Sequence, residues 1–183
     1  MKKKTLNVPT ILTLIRIILV VPLLILMLSD GIVCKILAIV CFVAASLTDF
    51  VDGRLARKNH QVTDLGAFLD PLADKMLVNL TFLVLVYMGY VPLVAFAIIL
   101  VRDFAVDGMR MMVARRGETV AASIYGKAKT MTQMITLTLF LVNLCLNNAI
   151  LFNISTVLLY VVLALTVFSG VDYLVKGWNK AIK

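Results

Sequence analysis

DFVDGRLARKNHQVTDLGAFLDPLAD, residues 49–74, sets a run of aspartates, four of them at helical spacings, into a chain of 183 residues that is 62% hydrophobic. Asp49, Asp52, Asp70 and Asp74 are punctuated by Gly53, Ala56, Arg57 and Gly66. Ionisable groups in such surroundings are costly, so function is the default explanation for them. Asp49 and Asp52 are spaced i, i+3, and Asp70 and Asp74 are spaced i, i+4, so on two helices each pair projects from one face. Two such helices side by side gather four oxygen donors into one pocket, which suits hard divalent cations such as Mg²⁺ or Mn²⁺. Gly53, Ala56 and Gly66 let backbone or substrate approach where larger side chains would block it.

The surrounding chain is that of a membrane protein. Its mean hydropathy is +1.02 and only 15% of its residues are charged. Lys75 and Arg102 bracket 26 uncharged residues, and Lys129 and Asp172 bracket 42. A span needs about 20 apolar residues, so the first stretch exceeds one span and the second is long enough for two. No cleavable leader is expected, because the apolar run after Lys4 lacks a small-residue cleavage site and continues too far. Cys34, Cys41 and Cys145 are odd in number, carry no CxxC spacing and read as small hydrophobes.

Six spans are predicted in one domain, residues 1–183. Span 1 covers about 10–28, with Pro9 in its first turn and Arg16 inside it. Span 2 covers 32–57 and a polar loop follows. Span 3 covers about 64–88, with Pro71 tolerable in the first turns or at a local break. Span 4 covers about 92–115 and carries Arg102, Asp103, Asp107 and Arg110 along one stripe. Residues 119–129 read as a polar connection, and spans 5 and 6 divide at Asn147-Asn148. His60 reads as a loop residue, Arg115 and Arg116 as flanking charges, and Tyr87, Tyr90 and Trp178 as interfacial aromatics.

Basic residues set the expected topology. Lys2, Lys3, Lys4, Arg57, Lys58, Arg115, Arg116, Lys127, Lys129, Lys176, Lys180 and Lys183 share one side, against Asp30 and Lys35 on the other. The net charge of +8 is thus a positive-inside signature, with no nucleic acid implied as partner. Both termini and the aspartate-rich loop face the cytoplasm on this reading. The expected fold is an all-α integral membrane bundle of six transmembrane helices, its active site at the cytoplasmic ends of helices 2–5.

Carboxylates alone would equally suit a divalent cation transporter. Arg57, Arg102, Arg110, Lys127 and Lys129 argue against that, because a site that only coordinates cations has little use for so many donors. Carboxylates, metal ions and arginines together suit a phosphorylated substrate. Arg102 and Arg110 have an alternative as partners of Asp103 and Asp107, and Lys75 as a partner of Asp74 or of a phosphate.

Asp49-x-x-Asp52-Gly53-x-x-Ala56-Arg57, eight residues, then Gly66-x-x-x-Asp70-x-x-x-Asp74 resembles the full signature of the CDP-alcohol phosphotransferases, without departure in identity or spacing. The resemblance implies a six-helix membrane fold, a homodimer and two divalent metal ions. It also implies attack of an acceptor alcohol on the β-phosphorus of a CDP-linked donor, with CMP leaving. Asp49, Asp52, Asp70 and Asp74 would be metal ligands, Asp74 also the general base, and Gly53, Ala56 and Arg57 would lie at the nucleotide. Asn7-Val8-Pro9-Thr10 with Arg16, the run Gly66 to Lys75, Arg102 to Arg110, and Gly126-Lys127-x-Lys129-Thr130 are similar to the branch of bacterial phosphatidylglycerophosphate synthases. That similarity implies CDP-diacylglycerol and sn-glycerol 3-phosphate as substrates in the bacterial cytoplasmic membrane. Asn7, Thr10, Asp49, Asp52, Gly53, Ala56, Arg57 and Gly66 would meet the lipid donor, and Arg102, Arg110, Lys127 and Lys129 the glycerol phosphate. Another acceptor, such as inositol phosphate or serine, is the alternative within the family.

Overall fold

The computed structural model describes the backbone of residues 8–58, 64–115 and 124–182, and the side chains of 11–48, 72–73, 75–113 and 124–175. Among the described residues the chain forms six helices: α1 (Val8–Leu28), α2 (Ile32–Lys58), α3 (Asp64–Tyr87), α4 (Leu93–Arg115), α5 (Ile124–Leu146) and α6 (Ala149–Ile182). Every backbone polar group in a bilayer needs a partner within its own segment, and helices supply it.

Local chemistry sets the turns. Gly31 caps α2, its carbonyl accepting from the Lys35 N–H at 3.1 Å. Gly89 ends α3 in the left-handed region, at φ 79°. There its N–H donates to Val86 O at 3.0 Å while the Tyr90 N–H reaches Leu85 O at 2.9 Å, a Schellman closure of the helix end. The predicted division at Asn147-Asn148 holds. Asn147 adopts φ 46°, a conformation asparagine tolerates, and Asn148 Oδ1 accepts from the N–H groups of Ile150 and Leu151 at 2.8 and 3.2 Å, an N-cap for α6.

Two local expectations change. Residues 119–129 were expected to connect, yet α5 already begins at Ile124. Lys127, Ala128 and Lys129 are good helix formers, and Lys129 is buried, anchoring this first turn to the bundle. Tyr90, in the turn between α3 and α4, is half-buried and packed edge-on to Phe140 and Phe152 at 6.4 and 5.8 Å. Tyr87 is exposed as expected. Helix α3 also runs unbroken through Pro71, its eighth residue, later than a first-turn proline. Proline brings no N–H for the Ala67 carbonyl four residues back.

The core is made where the helices meet. Phe42, Phe82 and Phe140 are fully buried, with Leu23 and Met27 from α1, Ile99 from α4 and Leu159 from α6 around them. α5 packs on α6, α1 on α3 and α2, and α4 on α6; α2 also touches α5 and α3. The outside is apolar as well: Ile18, Val21, Val33, Leu93, Ile150 and Phe168 are all exposed. Apolar surface of that extent belongs against lipid. By length and composition three helical stretches can cross a membrane, Ile11–Leu28, Ile124–Leu146 and Ala149–Val175, while Ile32–Thr48 and Lys75–Tyr87 are shorter apolar stretches. Helix α4 carries Arg102, Asp103, Asp107 and Arg110 along its length, which lowers its apolarity.

Candidate functional site

The aspartate signature lies on two consecutive helices joined by residues 59–63. Both pairs therefore have the helical spacing that puts each on one face. Asp52 and Asp70 each stand six residues from the connection, about 9 Å along the axis, and Asp49 and Asp74 stand nine and ten residues away, about 14–15 Å. In a hairpin of touching helices that sets the four positions at two matched depths. Their side chains lie outside those described, as do those of Thr10, Gly53, Ala56, Arg57 and Gly66, and Asn7 lies outside the described residues. Among the described residues no three His, Cys, Asp or Glu side chains gather as a metal set.

A contact on the next helix extends this depth scale. Lys75 forms an ion pair with Asp107, which links α3 to α4. The two helices run in opposite directions, so with position 75 level with 107, Arg110 falls at the depth of residue 72, between Asp70 and Asp74. Lys75 is thus turned towards α4 and its Asp107.

Deeper along α4, two cations share one carboxylate. Lys129 Nζ donates to both oxygens of Asp103, at 2.7 and 2.9 Å. Arg102 Nη1 donates to Asp103 Oδ1 at 2.9 Å, and Nη2 to Ser169 Oγ at 2.9 Å. Lys129, Asp103 and Ser169 are all buried. A lysine and an aspartate are tolerated there because they are paired and hydrogen-bonded. One positive charge remains over. Space for Arg102 comes from Gly170, where a Cβ would lie 2.8 Å from Arg102 Cγ; a small residue lets the neighbouring helix approach this closely.

Arg110 is held differently. Its Nε donates to Tyr173 Oη at 3.4 Å, and its guanidinium carbon sits 5.6 Å from the centre of the Tyr173 ring. Tyr173 is 3% exposed and packs against Val106, Met109 and Val113 of α4, while Arg110 itself is exposed. Lys127 is exposed two residues before Lys129. Three of the four expected acceptor cations therefore occupy two places, Arg102 with Lys129 around Asp103, and Arg110 about 12 Å beyond Arg102 along α4. Sequence reasoning had not singled out Ser169, Gly170 or Tyr173. The Ser-Gly pair in an otherwise apolar helix was the available signal, since small residues mark close helix approach.

A family model described as CDP-alcohol phosphatidyltransferase matches residues 6–168. The chain belongs to that family. Among similar proteins, a CDP-diacylglycerol–glycerol-3-phosphate 3-phosphatidyltransferase of Bacillus subtilis is 41% identical over 140 residues, 76% of this chain and 72% of that protein. One of the same name from Rickettsia bellii is 33% identical over 168 residues, 91% and 93% of the two chains. A probable phosphatidylglycerophosphate synthase of Mycobacterium tuberculosis is 34% identical over 174 residues, 93% and 81%.

Proposed function

We propose that this membrane enzyme transfers the phosphatidyl group of CDP-diacylglycerol to sn-glycerol 3-phosphate, giving phosphatidylglycerophosphate and CMP. The observation that carries the reading is the 41% identity to the Bacillus subtilis enzyme over three-quarters of the chain, joined to an intact aspartate signature. In the reaction the acceptor hydroxyl oxygen bonds to the β-phosphorus of the donor and the bond from that phosphorus to the CMP oxygen breaks. Asp74 takes the hydroxyl proton.

Asp49, Asp52, Asp70 and Asp74 are hard oxygen donors on adjoining helices, a donor set that fits two Mg²⁺ or Mn²⁺ ions. Such ions, when bound, neutralise the diphosphate and stabilise the departing CMP. Asn7, Thr10, Gly53, Ala56, Arg57 and Gly66 receive the cytidine diphosphate end of the donor, whose acyl chains stay in the bilayer. Arg110 and Lys127 hold the acceptor's phosphate, and Arg102 and Lys129 supply positive charge behind it. On this reading the chain crosses a bacterial plasma membrane six times as a homodimer, with both termini and the site at the cytoplasmic face, where the water-soluble acceptor is found; the basic residues gathered on that side support it.

The test is incubation of purified protein with CDP-diacylglycerol, Mg²⁺ or Mn²⁺ and a panel of alcohols. Phosphatidylglycerophosphate and CMP are expected with glycerol 3-phosphate. A lipid product formed only with serine or inositol phosphate would reassign the acceptor, and metal flux in vesicles without CMP release would make the protein a transporter.

A further inference from the structure

We propose that Tyr173 is a positioning residue for the acceptor, aiming the guanidinium of Arg110; this deepens, and rests on, the reading that Arg110 holds the acceptor's phosphate. A guanidinium offers two two-pronged edges, one formed by Nε with one Nη and one by the two Nη groups. Tyr173 Oη accepts from Nε, which occupies the first edge and leaves the second for an incoming anion. The ring adds a second restraint, because the cation lies over its face. The two partners differ in freedom. Tyr173 is buried among α4 side chains, whereas Arg110 is exposed and carries the rotamer entropy of a long side chain. A fixed phenol beneath a mobile arginine lowers the ordering cost of binding a phosphate.

The depth of Arg110, between Asp70 and Asp74 on the helix joined to its own by the Lys75–Asp107 pair, sets that free edge level with an acceptor whose hydroxyl reaches Asp74. Tyr173 touches neither substrate on this account. It comes from α6, which carries neither the aspartate signature nor the basic residues of α4 and α5, so with Ser169, which accepts from Arg102, it brings α6 to the site.

The experiment measures initial rates in mixed micelles with varied glycerol 3-phosphate and CDP-diacylglycerol, for the parent protein, Tyr173→Phe, Arg110→Ala and the double variant. Tyr173→Phe keeps the ring and removes the acceptor of the Nε bond. It should raise the KM for glycerol 3-phosphate about three- to tenfold, with kcat and the KM for CDP-diacylglycerol changed less than about twofold. In the Arg110→Ala background the same substitution should do nothing further, because the group it positions is gone. If Arg110→Ala raises the acceptor KM and Tyr173→Phe leaves it unchanged, the positioning role is refuted and the phosphate reading stands. If Arg110→Ala itself leaves that KM unchanged, the phosphate reading falls and takes this inference with it. Equal effects of Tyr173→Phe in both backgrounds, or losses in kcat and both KM values together, would mark Tyr173 as a packing residue and overturn the proposal.

Discussion

Replacing Asp103 with asparagine keeps the shape of the side chain and removes the one negative charge between Lys129 and Arg102. The side chains of Lys129 and Asp103 are 5% and 11% exposed, so solvent does little to compensate. Breaking a buried pair by removing one partner costs about 3–5 kcal/mol, because the other charge stays buried without that counter-charge. Lys129→Met should cost less, about 1–3 kcal/mol, since Asp103 keeps its 2.9 Å contact with Arg102. The double variant Asp103→Asn with Lys129→Met should be no worse than Asp103→Asn alone, because the buried ammonium has gone with its partner. A coupling energy of at least about 1 kcal/mol is therefore expected from the cycle. Unfolding in mixed micelles titrated with a denaturing detergent, followed by circular dichroism, measures all four corners. Costs that add within about 0.5 kcal/mol, or an Asp103→Asn cost below about 1 kcal/mol, would refute a buried ion pair as the tie between α4 and α5.

Gly170→Ala puts a methyl 2.8 Å from Arg102 Cγ, near the root of that side chain, so overpacking of about 1–3 kcal/mol outweighs the helix-propensity gain of about 1 kcal/mol; the same unfolding assay should show a net loss, and a stabilised variant would contradict the close approach of α4 and α6. Asp74→Asn should bind CDP-diacylglycerol and release no CMP, which substrate binding and turnover assays separate; near-normal turnover would remove it as the base. Cysteines engineered into residues 58–63 should react with impermeant reagents only from the cytoplasmic side, whereas Cys34, just beyond the Ser29-Asp30-Gly31 turn, should be reached from outside; labelling of the 58–63 connection in intact cells would invert the topology.

Most of the helix boundaries were legible because their causes are local. Gly31, Gly89 and the Asn147-Asn148 pair stop and start helices through their own backbone and side-chain chemistry, so the sequence carries the whole reason. The start of α5 was misread because Gly126, Lys127 and Lys129 look like a loop until Asp103, 26 residues earlier, is seen to receive the Lys129 ammonium. The ring contacts of Tyr90 were not legible for the same reason: its partners Phe140 and Phe152 come from α5 and α6, and no spacing along the chain announces them. The aspartate signature was legible because both of its halves sit on single helices, where spacing fixes the shared face. Ser169, Gly170 and Tyr173 were not, since each matters only through a side chain of α4.

The division of the basic residues follows from depth and charge together. Around Asp103 two cations meet one carboxylate and leave one positive charge over, and Lys75 is matched by Asp107, so each of these cations is held against a carboxylate, as a low-dielectric setting requires. Arg110 differs: it is exposed and its described partner is a neutral phenol, so its charge is still available to a ligand. The four aspartates, once two divalent ions are bound, are neutral as a set and cannot attract an anion further. Glycerol 3-phosphate brings about two negative charges near neutral pH, since the second ionisation of a phosphate monoester lies near pH 6. On the proposed reading Arg110, at the depth of the aspartates, and Lys127 would together offset those two charges. A neutral or zwitterionic acceptor would leave them uncompensated there, and this is the physical reason to favour a phosphorylated alcohol over serine within the family.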